Sequence, residues 1–150
     1  MHLADFFAPD AIDTDLRGAT KDEILTALVG LLRLDEQAGQ ALLTMLQRRE
    51  TLGSTGVGRG IAIPHCRSPA LTRLRLAYGH HAVGVEFQAM DSRPVHDFFL
   101  IVAPPLEISN QYLPVLGKIA QFAKDADVPE RLAQLRSADD FLRLLKEKGV

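Results

Sequence analysis

The residues of this chain that could do chemistry crowd into one stretch, Arg49 to Arg67, which reads Arg-Glu-Thr-Leu-Gly-Ser-Thr-Gly-Val-Gly-Arg-Gly-Ile-Ala-Ile-Pro-His-Cys-Arg. Four glycines, Gly53, Gly56, Gly58 and Gly60, fall within eight residues, with the hydroxyls of Ser54 and Thr55 among them. Glycine lets backbone N–H groups turn outward and approach an oxyanion closely. Ile61-Ala62-Ile63 reads as a short buried strand. Pro64 has a fixed φ and no N–H, so the strand is expected to end there, with His65 projecting from the turn. Arg49 and Arg67 add positive charge on either side. The set implies one positioned imidazole beside a cradle for an anion, with phosphate the first candidate.

The residues alone leave plainer readings open. Glycine-rich segments serve as simple turns, and a single histidine serves as a structural or solvated group. The nucleotide loop G-x-x-x-x-G-K-[ST] is a poor match. Gly53 to Gly58 has its glycine spacing, but Arg59 stands where its lysine belongs and Gly60 where its magnesium-binding hydroxyl belongs. Cys66 beside His65 invites a Cys–His nucleophile. Consecutive side chains diverge, however, and working dyads are assembled by folding rather than adjacency. Cys66 therefore reads as a small packing residue.

The elements that must carry this stretch can be read outward from it. Thr20-Lys-Asp-Glu23 is a capping box, opening a helix with Ile24, Leu25, Leu28, Val29, Leu31 and Leu32 on one face. Asp35 can cap a second helix that buries Ala38, Ala41, Leu42, Met45 and Leu46 and runs to Arg49, where the helix dipole favours a cation. Before these, His2 to Phe7 reads as a short helix ended by Pro9, and Ala11 to Leu16 as an extended segment. After His65, Leu74 to Tyr78 reads as a strand, with His80-His81 in a solvated turn at its end. Neighbours on a strand face opposite ways, so that pair is a poor metal site. Asp91-Ser-Arg-Pro94 is a turn signal, and Val95 to Val102 is the best strand, with His96 a satisfied structural residue early in it. Ser109 or Asn110 can cap a helix with Tyr112, Leu113, Leu116, Ile119, Ala120 and Ala123 on one face. Pro114 requires that helix to start near Asn110 or later. Asp127 and Ser137 open two further helices, the last with Phe141, Leu142, Leu144 and Leu145 inward. Helices on both sides of a strand-rich middle indicate an α/β sandwich.

The bulk properties bound the function. The chain has 150 residues, 47% of them apolar and 24% charged, which suits one domain over residues 1–150. A net charge of −2 gives no basic field for nucleic acid. One cysteine excludes an internal disulfide and fits a reducing compartment. No apolar run approaches the roughly 20 residues of a membrane span, and no signal-peptide core is present, so a cytoplasmic location is expected.

Arg49-Glu50 followed by Gly-Ser-Thr-Gly-Val-Gly-Arg-Gly-Ile-Ala-Ile-Pro-His65 resembles the signature of the fructose/mannitol-type enzyme IIA domains of the bacterial sugar phosphotransferase system, a group that includes the nitrogen-regulatory enzyme IIA proteins. Gly84 to Pro104 is similar to the second half of that family, and the resemblance covers nearly the whole chain. It implies a mixed parallel and antiparallel sheet flanked by helices. It also implies phosphoryl relay: an HPr-like phosphocarrier donates to a histidine, which passes the group to an enzyme IIB or alters binding to a regulatory target. On that resemblance His65 is the phosphoryl acceptor and Arg49 offsets the dianion. Gly53, Ser54, Thr55, Gly56 and Gly58 bind phosphoryl oxygens, and no metal or other cofactor is needed. Imidazole suits the task because an ordinary value near 6.5 leaves it mostly neutral and nucleophilic at pH 7. Tyr112-Leu113 stands where the family often carries a second histidine followed by leucine. A tyrosine hydroxyl can donate to a phosphoryl oxygen but brings no charge. That departure keeps a second function in view: an enzyme IIA-like docking module without phosphotransfer.

Overall fold

The computed structural model describes residues 1–106 and 110–150. A 3-10 turn, Leu3–Phe6, leads into β1 (Phe7–Asp13), then α1 (Lys21–Leu31), α2 (Glu36–Thr51), β2 (Gly56–Gly58), β3 (Ile61–Ala62) and β4 (His65–Arg67). β5 (Arg75–Val85), β6 (Val95–Ala103), α3 (Tyr112–Lys124), α4 (Val128–Ala133) and α5 (Ala138–Glu147) complete the order. The six strands form one mixed sheet in the order β1-β5-β6-β3-β2, with β4 also paired to β6. β1 is parallel to β5, β5 antiparallel to β6, and both β3 and β4 parallel to β6. The expected mixed α/β sheet flanked by helices is the architecture observed.

β6 is central because it is buried along nearly its whole length, so both of its faces are covered. On one face lie α1 and α2, whose Ile24, Leu25, Leu28, Leu42 and Leu46 pack on Phe98, Leu100 and Val102. On the other lie the N-terminal turn and α3 to α5, with Ile119, Phe122, Leu132 and Phe141 on Tyr78, Phe99 and Ile101. Alternation along β6 thus divides its side chains between two cores.

The helix signals read in the sequence operate locally. Thr20 Oγ1 accepts from Glu23 N–H at 3.2 Å. The Glu23 carboxylate returns to Ala19 N–H at 2.7 Å rather than to Thr20, so the box is displaced by one residue. Asp35 caps α2 through Ala38 N–H at 2.8 Å, and Ser137 caps α5 through Asp140 N–H at 3.1 Å. Each such cap contributes about 1 kcal/mol.

Several expectations are corrected. The first residues form a strand sooner than expected: β1 starts at Phe7 and runs through Pro9. An edge strand tolerates a missing N–H, and the pairing with β5 slips between Phe7 and Ile12 where Pro9 lies. Ala41 is exposed, as is Leu113 at 72%, because each sits at the margin of its helix's buried face. His80 and His81 lie inside β5, not in a turn. α3 begins at Tyr112, with Gln111 at its cap and no side-chain cap bond, so Asn110 does not cap it. Ser109 lies outside the described residues. Pro114 falls within the first turn of α3, the place that tolerates it.

Candidate functional site

The strand bearing His65 does not end at Pro64. Ile61 pairs with Asp97 and Ala62 with Phe98; beyond the proline, His65 pairs with Ile101 and Arg67 with Ala103 in the same register. Ile101 N–H donates to the Pro64 carbonyl at 2.9 Å, which bridges the gap left by the missing proline N–H. His65 is therefore not at the tip of a turn. It is the first residue of β4, on extended backbone continuing the line of β3.

That continuity decides which side chains meet. Along an extended chain Ile61, Ile63, His65 and Arg67 share one face, and Ala62 and Cys66 the other. Ile61 and Ile63 belong to the core under α3, whereas Ala62 and Cys66 face the core under α1 and α2. Burial pushes the Cys66 thiol up to about 12. Such a thiol is neutral at physiological pH and is no nucleophile.

On the α3 side a cluster assembles. The Tyr112 ring, at the start of α3, lies 6.0 Å from the His65 ring, centroid to centroid. The Arg67 guanidinium sits 4.8 Å from the Tyr112 ring centroid and donates to the Pro104 carbonyl at 2.7 Å. A cation over an aromatic face is attracted by the ring quadrupole. Burial pushes the Tyr112 phenol up to about 12 against the pull of the Arg67 and Arg49 charges, so its hydroxyl is a neutral donor across the physiological range. Arg49, in the last turn of α2, donates from Nη1 to the Gly53 carbonyl at 2.9 Å. That bond ties the guanidinium to the helix end while its charge still reaches Tyr112.

His65 itself is half-buried and fixed by one bond. Its Nδ1 lies 2.6 Å from the Ile63 carbonyl oxygen. A carbonyl only accepts, so Nδ1 carries the hydrogen. In the neutral ring the lone pair is then on Nε2, the nitrogen turned away from that backbone contact.

Several donors of the glycine segment are taken up within the chain. Gly53 N–H donates to the Glu50 carbonyl at 3.2 Å, and Gly56 N–H to Ser54 Oγ at 3.0 Å. Ser54 Oγ donates in turn to the Phe87 carbonyl at 2.5 Å. Thr55 is buried, and both its N–H and its hydroxyl are held by the Glu50 carboxylate. Gly58 faces the Asp91 carboxylate, where a Cβ would stand 3.4 Å from Oδ2. These donors are spent internally. Their work is to build a hairpin: β2 and β3 are joined by Arg59 and Gly60, both at positive φ (59° and 78°), as a two-residue primed turn demands. Gly56 is required by closeness instead, since a Cβ there would meet Ala89 Cβ at 2.8 Å.

Sequence reasoning missed three contributors. Arg59, which stands where a nucleotide loop has its lysine, donates to the carbonyls of Ala123 at 2.6 Å and Asp125 at 2.9 Å. It clasps the hairpin to the C-terminal end of α3, where the dipole favours a cation. Arg67 is more than flanking charge; its alternation with His65 on one strand is the sequence signal that places it on the same face. The Lys21–Glu50 pair, at 2.9 Å, joins α1 to α2 and has no signature in local spacing.

Residues 5–148 match the family described as phosphoenolpyruvate-dependent sugar phosphotransferase system, EIIA 2. The chain is 32% identical to the nitrogen regulatory protein of Bradyrhizobium diazoefficiens over 146 residues, covering 97% of this chain and 95% of that one. Among solved structures it is similar to nitrogen regulatory protein IIA-Ntr from Neisseria meningitidis, with a TM-score of 0.86 at 27% identity, covering 95% of this chain and 98% of that one. It shares its fold with Escherichia coli enzyme IIAMTL, solved in complex with phosphorylated enzyme IIBMTL: TM-score 0.71, 24% identity, 94% and 99% covered.

Proposed function

Because the chain belongs to the phosphotransferase system EIIA 2 family, we propose that it is a phosphohistidine carrier, accepting a phosphoryl group on His65 from an HPr-like protein. The observation that carries this reading is the bond from His65 Nδ1–H to the Ile63 carbonyl, which leaves the Nε2 lone pair as the nucleophile. Nε2 attacks phosphorus, the donor's N–P bond breaks, and the electron pair leaves on the donor nitrogen. The hydrogen stays on Nδ1 throughout, so no proton need pass through this chain.

Little covalent work is left to the protein in such a transfer; positioning and charge dominate. Arg49 and Arg67 supply the positive field, and the Tyr112 hydroxyl donates to a phosphoryl oxygen. A unit-charge pair at 4 Å near a protein surface gains about 4 kcal/mol before desolvation is subtracted. Leu52, Leu106 and Leu113 are 84%, 64% and 72% exposed and adjoin the site elements in sequence. They suit a docking face for the carrier and for an enzyme IIB or regulatory target. The likeness to nitrogen regulatory proteins favours the regulatory branch. Among the described residues no helix is long and apolar enough to cross a membrane, and we infer that residues 1–150 act as one unit in the cytoplasm.

A second reading, a docking module that takes no phosphoryl group, is favoured by two observations: the hydroxyls of Ser54 and Thr55 are spent internally, and Tyr112 brings no charge. Incubation with phosphoenolpyruvate, enzyme I and HPr, followed by intact mass, separates the two. A phosphoryl adduct that disappears in His65→Ala supports the carrier. No adduct, with a phosphorylatable relative positive in parallel, supports the docking module.

A further inference from the structure

We infer that Glu50 is a positioning residue for His65, acting on the imidazole through Thr55 and Ile63; the inference rests on reading His65 as the phosphoryl acceptor. Glu50 lies one residue beyond Arg49 on α2, turned inward, with its side chain 4% exposed. A carboxylate held that far from water is unfavourable unless it is paired and hydrogen-bonded. Lys21 Nζ donates to it at 2.9 Å, and the Thr55 N–H lies 3.3 Å from both oxygens, with the Thr55 hydroxyl also donating.

From Thr55 the bonds continue toward the ring. The Thr55 carbonyl accepts from Ile63 N–H at 3.0 Å, and the Ile63 carbonyl accepts from His65 Nδ1–H at 2.6 Å. Each residue between carboxylate and imidazole therefore has its backbone donor and acceptor committed along a single line. Two neighbours stiffen that line. Gly56 packs against Ala89 too closely for any Cβ, which fixes the exit from Thr55. Pro64 locks the residue after Ile63. The one carbonyl that sets the His65 tautomer is thus placed by a loop whose anchor is Glu50. Misplacing a reacting group by about 1 Å can cost on the order of a hundredfold in rate. This gives the buried carboxylate a role beyond joining two helices.

Two conservative variants separate reach from charge. Glu50→Asp keeps the charge for Lys21 but withdraws the carboxylate from Thr55 by one methylene. Glu50→Gln keeps the reach and an acceptor but drops the charge. The full chain is labelled with nitrogen-15 histidine, and the His65 ring nitrogens, assigned by loss in His65→Ala, are read at about pH 9, above the ordinary imidazole value of about 6.5. Wild type shows Nδ1–H. Glu50→Asp is expected to lose part of that tautomer and to form the adduct at least about tenfold more slowly, while Glu50→Gln stays within about threefold of wild type. A tautomer no more disturbed in Glu50→Asp than in Glu50→Gln overturns the inference. If Glu50→Asp does not fold, Thr55→Val is read in its place: it removes one donor to the carboxylate and leaves Lys21 alone, so a tautomer shift upholds the inference and an unchanged ring overturns it. The tautomer is measured without any phosphoryl donor. A chain that never accepts phosphate in any form therefore defeats the carrier reading separately.

Discussion

His65 and His80 flank opposite ends of β6, and both rings donate from Nδ1, yet to different acceptors. His65 donates to a neutral carbonyl, that of Ile63, at 2.6 Å. His80 donates to the carboxylate of Asp97 at 2.7 Å, which also accepts from the Tyr78 hydroxyl at 2.6 Å. The hydrogen bond to Asp97 raises the His80 pKa, burial opposes it, and the carboxylate's charge adds to the rise. The comparison sets one side chain in two environments, one matched to the proposed acceptor role and one to a structural pair. A backbone carbonyl fixes the tautomer and orientation of an imidazole, which is what the acceptor role proposed for His65 asks of the ring. A buried carboxylate stabilises the cation and converts the ring into half of a structural pair. The solvated turn expected for His80 is replaced by a strand position, where its side chain is half-buried against Asp97, 15% exposed.

Removing each ring in turn is the strongest way to break that division. His65→Ala is expected to abolish the phosphoryl adduct and to change stability by less than about 1 kcal/mol, since the residue is half-buried and makes one side-chain bond. His80→Ala is expected to do the opposite. It leaves the adduct intact but strands the Asp97 carboxylate with only Tyr78, at a cost of about 2–4 kcal/mol. Urea unfolding and intact mass on the same preparations read both effects. An adduct lost in His80→Ala with unchanged stability would erase the distinction between the two rings.

Arg49→Ala probes the field around the first ring. On the proposed reading the adduct is expected to form at least about tenfold more slowly, because a charge that offsets the dianion is gone. Stability is expected to fall by about 1 kcal/mol, from the lost donor to the Gly53 carbonyl and the lost cation at the end of α2. Equal rates with a large loss of stability would make Arg49 a helix cap and nothing more.

What the sequence made legible followed the range of the interactions involved. Helix α2 and its cap Asp35 were readable because periodicity and capping act over three or four residues. Strand β6 was readable because a long apolar run has few alternatives. His65 and Arg49 stood out through a long motif. The surroundings of His65 were not readable from spacing. Whether Ser54 and Thr55 face an anion or the interior depends on Phe87 and Glu50, and the latter is neutralised by Lys21 from another helix. Pro64 looked like a strand end because its own N–H is missing; the bond from Ile101 to its carbonyl, supplied by β6, restores the line. Local chemistry named the residues, and non-local pairing assigned their work.

Tyr112→Phe sharpens the picture of the site by a smaller step. The ring, its contact with His65 and the Arg67 cation over its face are kept, while the hydroxyl is lost. Adduct formation is expected to slow by about tenfold or less, the loss of one neutral donor. Since burial pushes the phenol up to about 12, the wild-type rate should show no break from this group at any pH below about 10. A rate unchanged by the substitution would remove Tyr112 from the chemistry and leave it as packing.

The gentlest test titrates the second ring in place. The pKa of His80 is raised in the fold, so the stabilisation it draws from Asp97 is complete below the ordinary imidazole value of about 6.5 and fades as pH rises through the higher folded value. Asp97→Asn removes the carboxylate that causes the rise. The amide can still accept from Tyr78, so the variant should fold with lower stability. Urea midpoints measured from about pH 6 to pH 9 should decline with pH in wild type more steeply than in Asp97→Asn, whose His80 no longer has a charge to pair with. The carboxylates of Asp15, Asp91 and Glu147 are each held below their ordinary values by exposed partners, so they titrate under this window and do not contribute to the slope. Parallel slopes in the two proteins would mean that His80 stays neutral in the fold, and the contrast with His65 would then rest on the identity of the acceptor alone.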